Sequence, residues 1–166
     1  TILQQLTEAY RRIRNTCRFL LGNTSDFLSC RDSVPREAME ELDRWVILQL
    51  QKVILRVVRA YEKYDFHIVY HTLYQFCTHE LSALYLDILK DRLYTSAPTA
   101  KERRSAQTAL FLILKALVRL MAPILSFTAE EVWSFLPPEE KEAESVHLTR
   151  FPAYDPAWVD EDLDRR

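Results

Sequence analysis

Four arginines fall within one short stretch, Y-R-R-I-R-N-T-C-R-F: Arg11, Arg12, Arg14 and Arg18. A guanidinium offers planar, paired donors that match a phosphate. Phe19 follows directly, and Asn15 and Asn23 lie to either side of it. A ring next to arginines suits stacking on an unpaired base. On a helical wheel of about 100° per residue, Gln4, Glu8, Arg11, Arg14, Asn15 and Arg18 share one arc, with Arg12 and Phe19 on its flank. The chemistry on offer is contact with a ribose-phosphate backbone and its bases. The competing reading is a solvated charged face, with Phe19 covered by a neighbouring helix.

Other residue sets offer less. His67 and His71 are four apart and His79 follows, a spacing that invites a metal. His79, however, falls well round the wheel from His67, so exposed helix histidines are the expectation. Glu80 lies near an apolar stripe of Phe66, Tyr70, Leu73, Cys77, Leu81, Leu84 and Ile88, with Asp87 and Asp91 at its edge. Buried carboxylates need partners. Arg56, Arg59, Arg103 and Arg104 are placed to supply them, so an internal ion-pair network is expected; a catalytic carboxylate pair at Glu80, as in a hydrolase, is the alternative. The only glycine, Gly22, excludes the glycine-rich phosphate loops, which need several. Cys17, Cys30 and Cys77 form no C-x-x-C pair and argue against a zinc site or a disulfide framework.

Charge is unevenly spread. The chain of 166 residues carries 22 Lys and Arg against 24 Asp and Glu, a net −2. The first stretch, 1–18, is basic, and the last, 139–166, is acidic. A polyanion would meet the first and avoid the second.

The elements that must position these residues read as helices. Ile2, Leu6, Ala9, Tyr10, Ile13, Cys17 and Leu20 recur at three- and four-residue steps over 2–21, and Gly22-Asn23 is expected to end that helix. A second helix is predicted from Pro35 to Tyr64. A third starts at an Asp65 N-cap and runs to Leu93, and a fourth spans Lys101 to Met121. Pro123 should break the chain near Ala122. Thr128 and Glu131 in T-A-E-E read as a capping box, with Phe127 and Val132 as its staple, opening a short fifth helix that stops at Pro137-Pro138. Beyond Lys141 a loose segment is expected, with Phe151 and Trp158 docking on the rest. The fold class is all-α: an antiparallel bundle of about five helices over 1–138 with a short irregular C-terminal tail, the acidic segment 139–166. No stretch has the length and apolarity of a membrane span, and no signal-peptide pattern opens the chain.

Six blocks in series carry a family resemblance: Y-R-R-I-R-N-T-C-R-F-L-L-G-N (10–23), L-D-R-W (42–45), A-Y-E-K-Y-D-F-H (60–67), Y-L-D-I-L-K-D-R-L-Y-T (85–95), R-R-S-A-Q-T-A-L (103–110) and M-A-P-I-L-S-F-T-A-E-E-V-W (121–133). Together they resemble the anticodon-binding helical bundle of bacterial isoleucyl-tRNA synthetase, a class I enzyme. The valyl enzyme has a similar bundle, but its first helix reads closer to W-N-A-x-R-F. The resemblance implies that Arg11, Arg14 and Arg18 hold phosphates of the anticodon stem of isoleucine tRNA, with Arg12 beside them and Asn15, Phe19 and Asn23 nearer the loop. Trp133 is expected to pack beneath the Pro123 joint, Arg103 and Arg104 to be structural, and the acidic tail to lie away from RNA. The parent enzyme it implies is a cytoplasmic isoleucine–tRNA ligase that uses ATP and carries HIGH-type and KMSKS-type motifs, an editing domain and a zinc element. None of those motifs occurs here, so the chain reads as an excised domain, with no active site, cofactor or metal of its own. Its partners would be tRNA and the catalytic and editing domains of the same polypeptide, with no membrane and a monomer expected. A helical protein-interaction module without an RNA role is the alternative from another class.

Overall fold

Three- and four-residue apolar steps build long helices, and the computed structural model describes residues 2–165 apart from the Leu84 side chain. The helices are α1 (Ile2–Asn23), α2 (Ser29–Asp32), α3 (Glu41–Glu62), α4 (Phe66–Gln75), α5 (Leu86–Thr95), α6 (Lys101–Met121), α7 (Ser126–Ser134) and α8 (Glu161–Asp164). A π-helical stretch, Phe76–Tyr85, joins α4 to α5 without a break. The described residues contain no strand, and none of their helices is long and apolar enough to cross a membrane. α6 is the central rod: from Ser105 to Met121 nearly every residue is buried except Leu112, Lys115 and Arg119.

Side-chain bonds set the directions of the rods. Asp43 at the start of α3 accepts from Ser105 at the start of α6, and the Tyr61 hydroxyl near the end of α3 donates to the Leu120 carbonyl near the end of α6 at 2.6 Å. These two helices therefore run parallel. α1 runs against them, because Gln107 Nε2 near the start of α6 donates to the carbonyl of Asn23, the last residue of α1, at 2.9 Å. The α4–α5 rod also runs against α3, with Phe66 near Tyr61 and Arg92 bonded to Asp43.

Several local expectations change. Gly22 has no positive φ and sits inside α1. The helix ends one residue later, where Thr24 Oγ1 donates to the Leu20 carbonyl at 2.8 Å. The predicted second helix starts late: a 3₁₀ turn at Arg36–Ala38 and extended residues at Met39 and Glu40 precede α3. Asp65 does precede α4, but its side chain makes no capping bond. α6 spans Lys101–Met121 as predicted, although Ala122 keeps helical angles (φ −53°, ψ −42°) before Pro123. The break arises because a proline nitrogen has no hydrogen to continue the ladder. The capping box does not form. α7 starts at Ser126, Thr128 lies inside its first turn sharing a hydrogen bond with Tyr10 (2.9 Å), and Phe127 projects into solvent rather than stapling Val132.

The third rod shows why a π-helix forms. Leu73, Cys77, Leu81, Tyr85 and Leu89 are all fully buried, an unbroken four-residue repeat that continues to Leu93. On an α-helix each four-residue step drifts about 40°, so the repeat could not stay on one face for five turns. The wider i→i+5 winding absorbs the drift. The expected stripe is corrected accordingly: Phe66 and Ile88 are exposed, and the Leu84 side chain lies outside the described residues.

The ion-pair network exists but uses other acids. Glu80 is half-buried, with one carboxylate oxygen unpartnered, while Asp87 pairs with Lys90 on the surface. Arg56 and Arg59 are exposed. The buried anion is Asp43, which accepts from Tyr85 (2.7 Å), Arg92 (2.8 Å) and Ser105 (2.5 Å) and so ties α3, the π-helical stretch, α5 and α6 together. Arg103 and Arg104 both bond to Asp26 in the loop after α1, and Arg104 also pairs with Asp32.

The tail is irregular yet docked. Buried Glu140 accepts from the backbone N–H and hydroxyl of Ser29 (2.6 and 2.8 Å), and Glu142 is taken by Lys115 and Arg119. The Trp133 indole N–H, from a fully buried ring, donates to the Ala143 carbonyl at 3.1 Å. Phe151 stacks on Tyr61 at 5.0 Å, Trp158 lies against the core under Arg36, and Asp164 bonds to Gln49 and Lys52.

Candidate nucleic-acid interface

Burial of one face of α1 decides what the other face shows. Ala9, Ile13, Thr16, Cys17 and Leu20 turn into the bundle, so Arg11, Arg12, Arg14, Asn15 and Arg18 all stand exposed. The cations are only lightly held. Arg11 and Arg12 share Glu8, at 3.5 and 3.2 Å, and Arg14 reaches Glu131 of α7 at 3.6 Å. Exposed pairs of this kind are worth about 0–1 kcal/mol, so a phosphate can take over their guanidinium groups at little cost. Arg18 has no hydrogen bond or ion pair among the described residues.

Phe19 and Asn23 differ from the arginines. Phe19 is half-buried and leans on the core, so only part of its ring faces outward. Asn23 donates through Nδ2 to the Phe19 carbonyl at 2.9 Å and accepts from Gln107 through its own carbonyl, a helix-ending arrangement that occupies both groups.

A feature that sequence reading did not find lies beside Arg14 and Arg18. The C-terminal half of α1 and the length of α7 enclose an open groove of about 590 Å³. Leu21, Phe111, Val132 and Leu136 give it an apolar floor, and Arg14 and Arg18 stand on its lip with Glu131. Phe135, one turn on from Glu131, also lines it and is 69% exposed. Cations on the lip and a ring on the wall can hold a phosphate and stack a base at once. The sequence held one clue: Phe135 lies off the buried face that Val132, Trp133 and Leu136 define.

The rim is anchored at the α1–α2 turn. Asp26 accepts from Arg103 at 2.8 and 3.1 Å and from Gln107 at 2.7 Å, which holds its carboxyl below the ordinary carboxylate range. Asp32 is pulled down to about 2, chiefly by the Arg31 guanidinium that bonds both its oxygens. Cys17 and Cys77 are buried, and burial pushes the Cys17 thiol up to about 12. The three helix histidines, His67, His71 and His79, are exposed, and no metal-ligating cluster forms among the described residues.

Comparison with known proteins bears on this surface. The profile described as the anticodon-binding domain of tRNA ligase matches residues 43–165. An isoleucine–tRNA ligase of Moorella thermoacetica is 53% identical over 165 residues, 99% of this chain and 18% of the relative. The isoleucine–tRNA ligase of Geobacter sulfurreducens is 55% identical over the same coverage, and that of Symbiobacterium thermophilum is 54% identical over 162 residues, 98% of this chain and 17% of the relative. The chain thus spans under a fifth of the length of these relatives, and their similarity includes α1, which the profile leaves out.

Proposed function

This chain belongs to the anticodon-binding domains of tRNA ligases, and on that premise we propose that it grips the anticodon arm of isoleucine tRNA through α1 and the groove beside α7. Arg11, Arg14 and Arg18 take backbone phosphates, Arg12 adds positive potential on the flank, and Asn15 faces the same strand. An unpaired base enters the groove and stacks on Phe135, with the outward part of Phe19 near it; Asn23 shapes the end of α1. Isoleucine over valine rests on the named relatives, all isoleucine–tRNA ligases. Aminoacylation, with its ATP and a zinc element, belongs to other parts of a protein of the relatives' length, acting in the cytoplasm.

The observation that carries this reading is Arg18: an exposed, unpaired guanidinium at the lip of an apolar groove with an aromatic wall. Three of the tail's acids are meanwhile engaged elsewhere, with Glu140, Glu142 and Asp164 bonded to α2, α6 and α3.

The test is a titration of labelled isoleucine tRNA at several salt concentrations. Affinity should fall linearly on a double-logarithmic plot. Replacing Arg11, Arg14 and Arg18 together by Ala should flatten that slope by roughly 2 to 3, given about 0.7–0.9 per phosphate contact. An unchanged slope removes α1 from the interface, and no binding at any salt leaves a protein-interaction module as the better account.

A further inference from the structure

Exposed apolar side chains are concentrated at one end of the bundle. The ends of α3 and α6 lie there with the starts of α1 and α4. So do Ile2 (77% exposed), Leu3, Leu6, Tyr64 (78%), Phe127 (94%) and Leu148. Contacts link them round the rim. Tyr64 and Tyr61 both meet the edge of Phe66 at 6.2 Å, and Phe151 stacks on Tyr61. Phe151 and His147 wall one cleft with Pro123. The His147 ring contacts the Ser126 carbonyl at 3.3 Å, next to Phe127, and Thr128 bonds to Tyr10, one turn from Leu6.

Three observations bear on what covers this end. First, the apolar stripe of α1 is continuous, but only part of it is used here. Ala9, Ile13, Cys17 and Leu20 are buried in this bundle, while Ile2 and Leu6 on the same stripe run past its end into solvent. An amphipathic stripe of this width is built to be packed. Second, Tyr64 has φ 59°. It occupies the left-handed position of a helix-ending motif in which its N–H bonds to the Tyr61 carbonyl and the Asp65 N–H to the Ala60 carbonyl, a place that favours glycine. A bulky ring is strained there, yet it is 78% exposed and its one ring contact among the described residues is with the edge of Phe66. Third, relatives of which this chain is 18% hold most of their polypeptide outside it.

We infer that this apolar end is the surface on which the bundle docks against the body of the longer polypeptide, through aliphatic and aromatic contacts. Large contiguous apolar patches mark such interfaces. Docking here leaves the groove between α1 and α7 open on the flank. The inference does not require RNA binding, and its test contains no RNA.

Hydroxyl-radical footprinting read by mass spectrometry compares the 166-residue chain with the longer protein that carries it. Leu3, Leu6, Tyr64 and Phe127 should be modified in the short chain and lose most of that modification in the long one. Leu112, exposed on the flank of α6, provides the reference. The double substitution Leu6→Ser, Phe127→Ser should leave the melting temperature of the short chain unchanged and restore modification at Leu3 and Tyr64 in the long protein. Tyr64→Gly should raise the melting temperature of the short chain while loosening the docked end in the long one. Equal modification of the patch in both proteins overturns the inference. So does a dimer of the short chain that the double substitution dissolves while the patch stays exposed in the long protein, because that assigns the surface to a second copy.

Discussion

Replacing Asp43 by Ala tests what holds the rods in register. Its carboxylate is fully buried and accepts from Tyr85, Arg92 and Ser105. Burial beside that carboxylate pushes the Tyr85 phenol well above its ordinary value, so it stays a donor. The Ala variant leaves two fully buried hydroxyls and a largely buried guanidinium without their acceptor. Breaking a buried ion pair from one side costs about 3–5 kcal/mol, a large part of the roughly 5–15 kcal/mol that holds a domain together. At about 2–4 °C per kcal/mol for a domain of this size, the melting temperature should fall by roughly 6–20 °C. Asp43→Asn keeps the shape and one acceptor, and the hydroxyls can turn to accept from its amide; its cost should be nearer 1.5–3 kcal/mol, roughly that of one bond to a charged group. Adding Arg92→Met to Asp43→Ala removes the stranded cation and should recover part of the loss. Circular dichroism melts and urea titrations measure all three. A loss below about 1 kcal/mol for Asp43→Ala, the worth of a single neutral hydrogen bond, would refute the claim that this network fixes the packing of α3, α5 and α6.

Further outcomes are expected. Glu131→Gln frees Arg14 from its acid and should raise tRNA affinity by up to about fivefold at low salt, an effect that fades as salt rises; unaltered affinity would separate Arg14 from the interface. Phe135→Ala should cost about 1–3 kcal/mol of tRNA binding if a base stacks there, with the melting temperature unmoved because the ring is exposed. Asp26, Asp32, Glu142 and Asp164 all have folded-state values below their ordinary ones, through Arg103, Arg31, Lys115 and Lys52 respectively. The stability they contribute is therefore present above about pH 4 and is lost as pH falls toward 2, where Asp32 titrates; Asp32→Asn should make the acid limb of a stability–pH curve shallower. A thiol reagent at neutral pH should modify Cys30 at once, and Cys17 and Cys77 only when denaturant opens the core.

The sequence alone determined the helices whose signal is local. The limits of α6 follow from an uninterrupted apolar pattern ended by a proline that cannot donate. The inward face of α1 follows from its three- and four-residue steps, and with it the outward set of arginines. The buried repeat Leu73, Cys77, Leu81, Tyr85, Leu89 and Leu93 was also written in the chain; a wheel drawn at α-helical pitch simply could not display a period of four. Only the tertiary structure decided the rest. Asp43 looks like any acid in a helix's first turn, and its role depends on Tyr85, Arg92 and Ser105, which lie 42 to 62 residues away. Thr128 had a local use as a cap, and Tyr10, 118 residues earlier, took its hydroxyl instead. The groove is likewise a property of two helices, since neither α1 nor α7 has a cavity until packing sets them side by side. Periodicity reports which face of a helix is buried, whereas the partner that buries it is chosen by the whole chain.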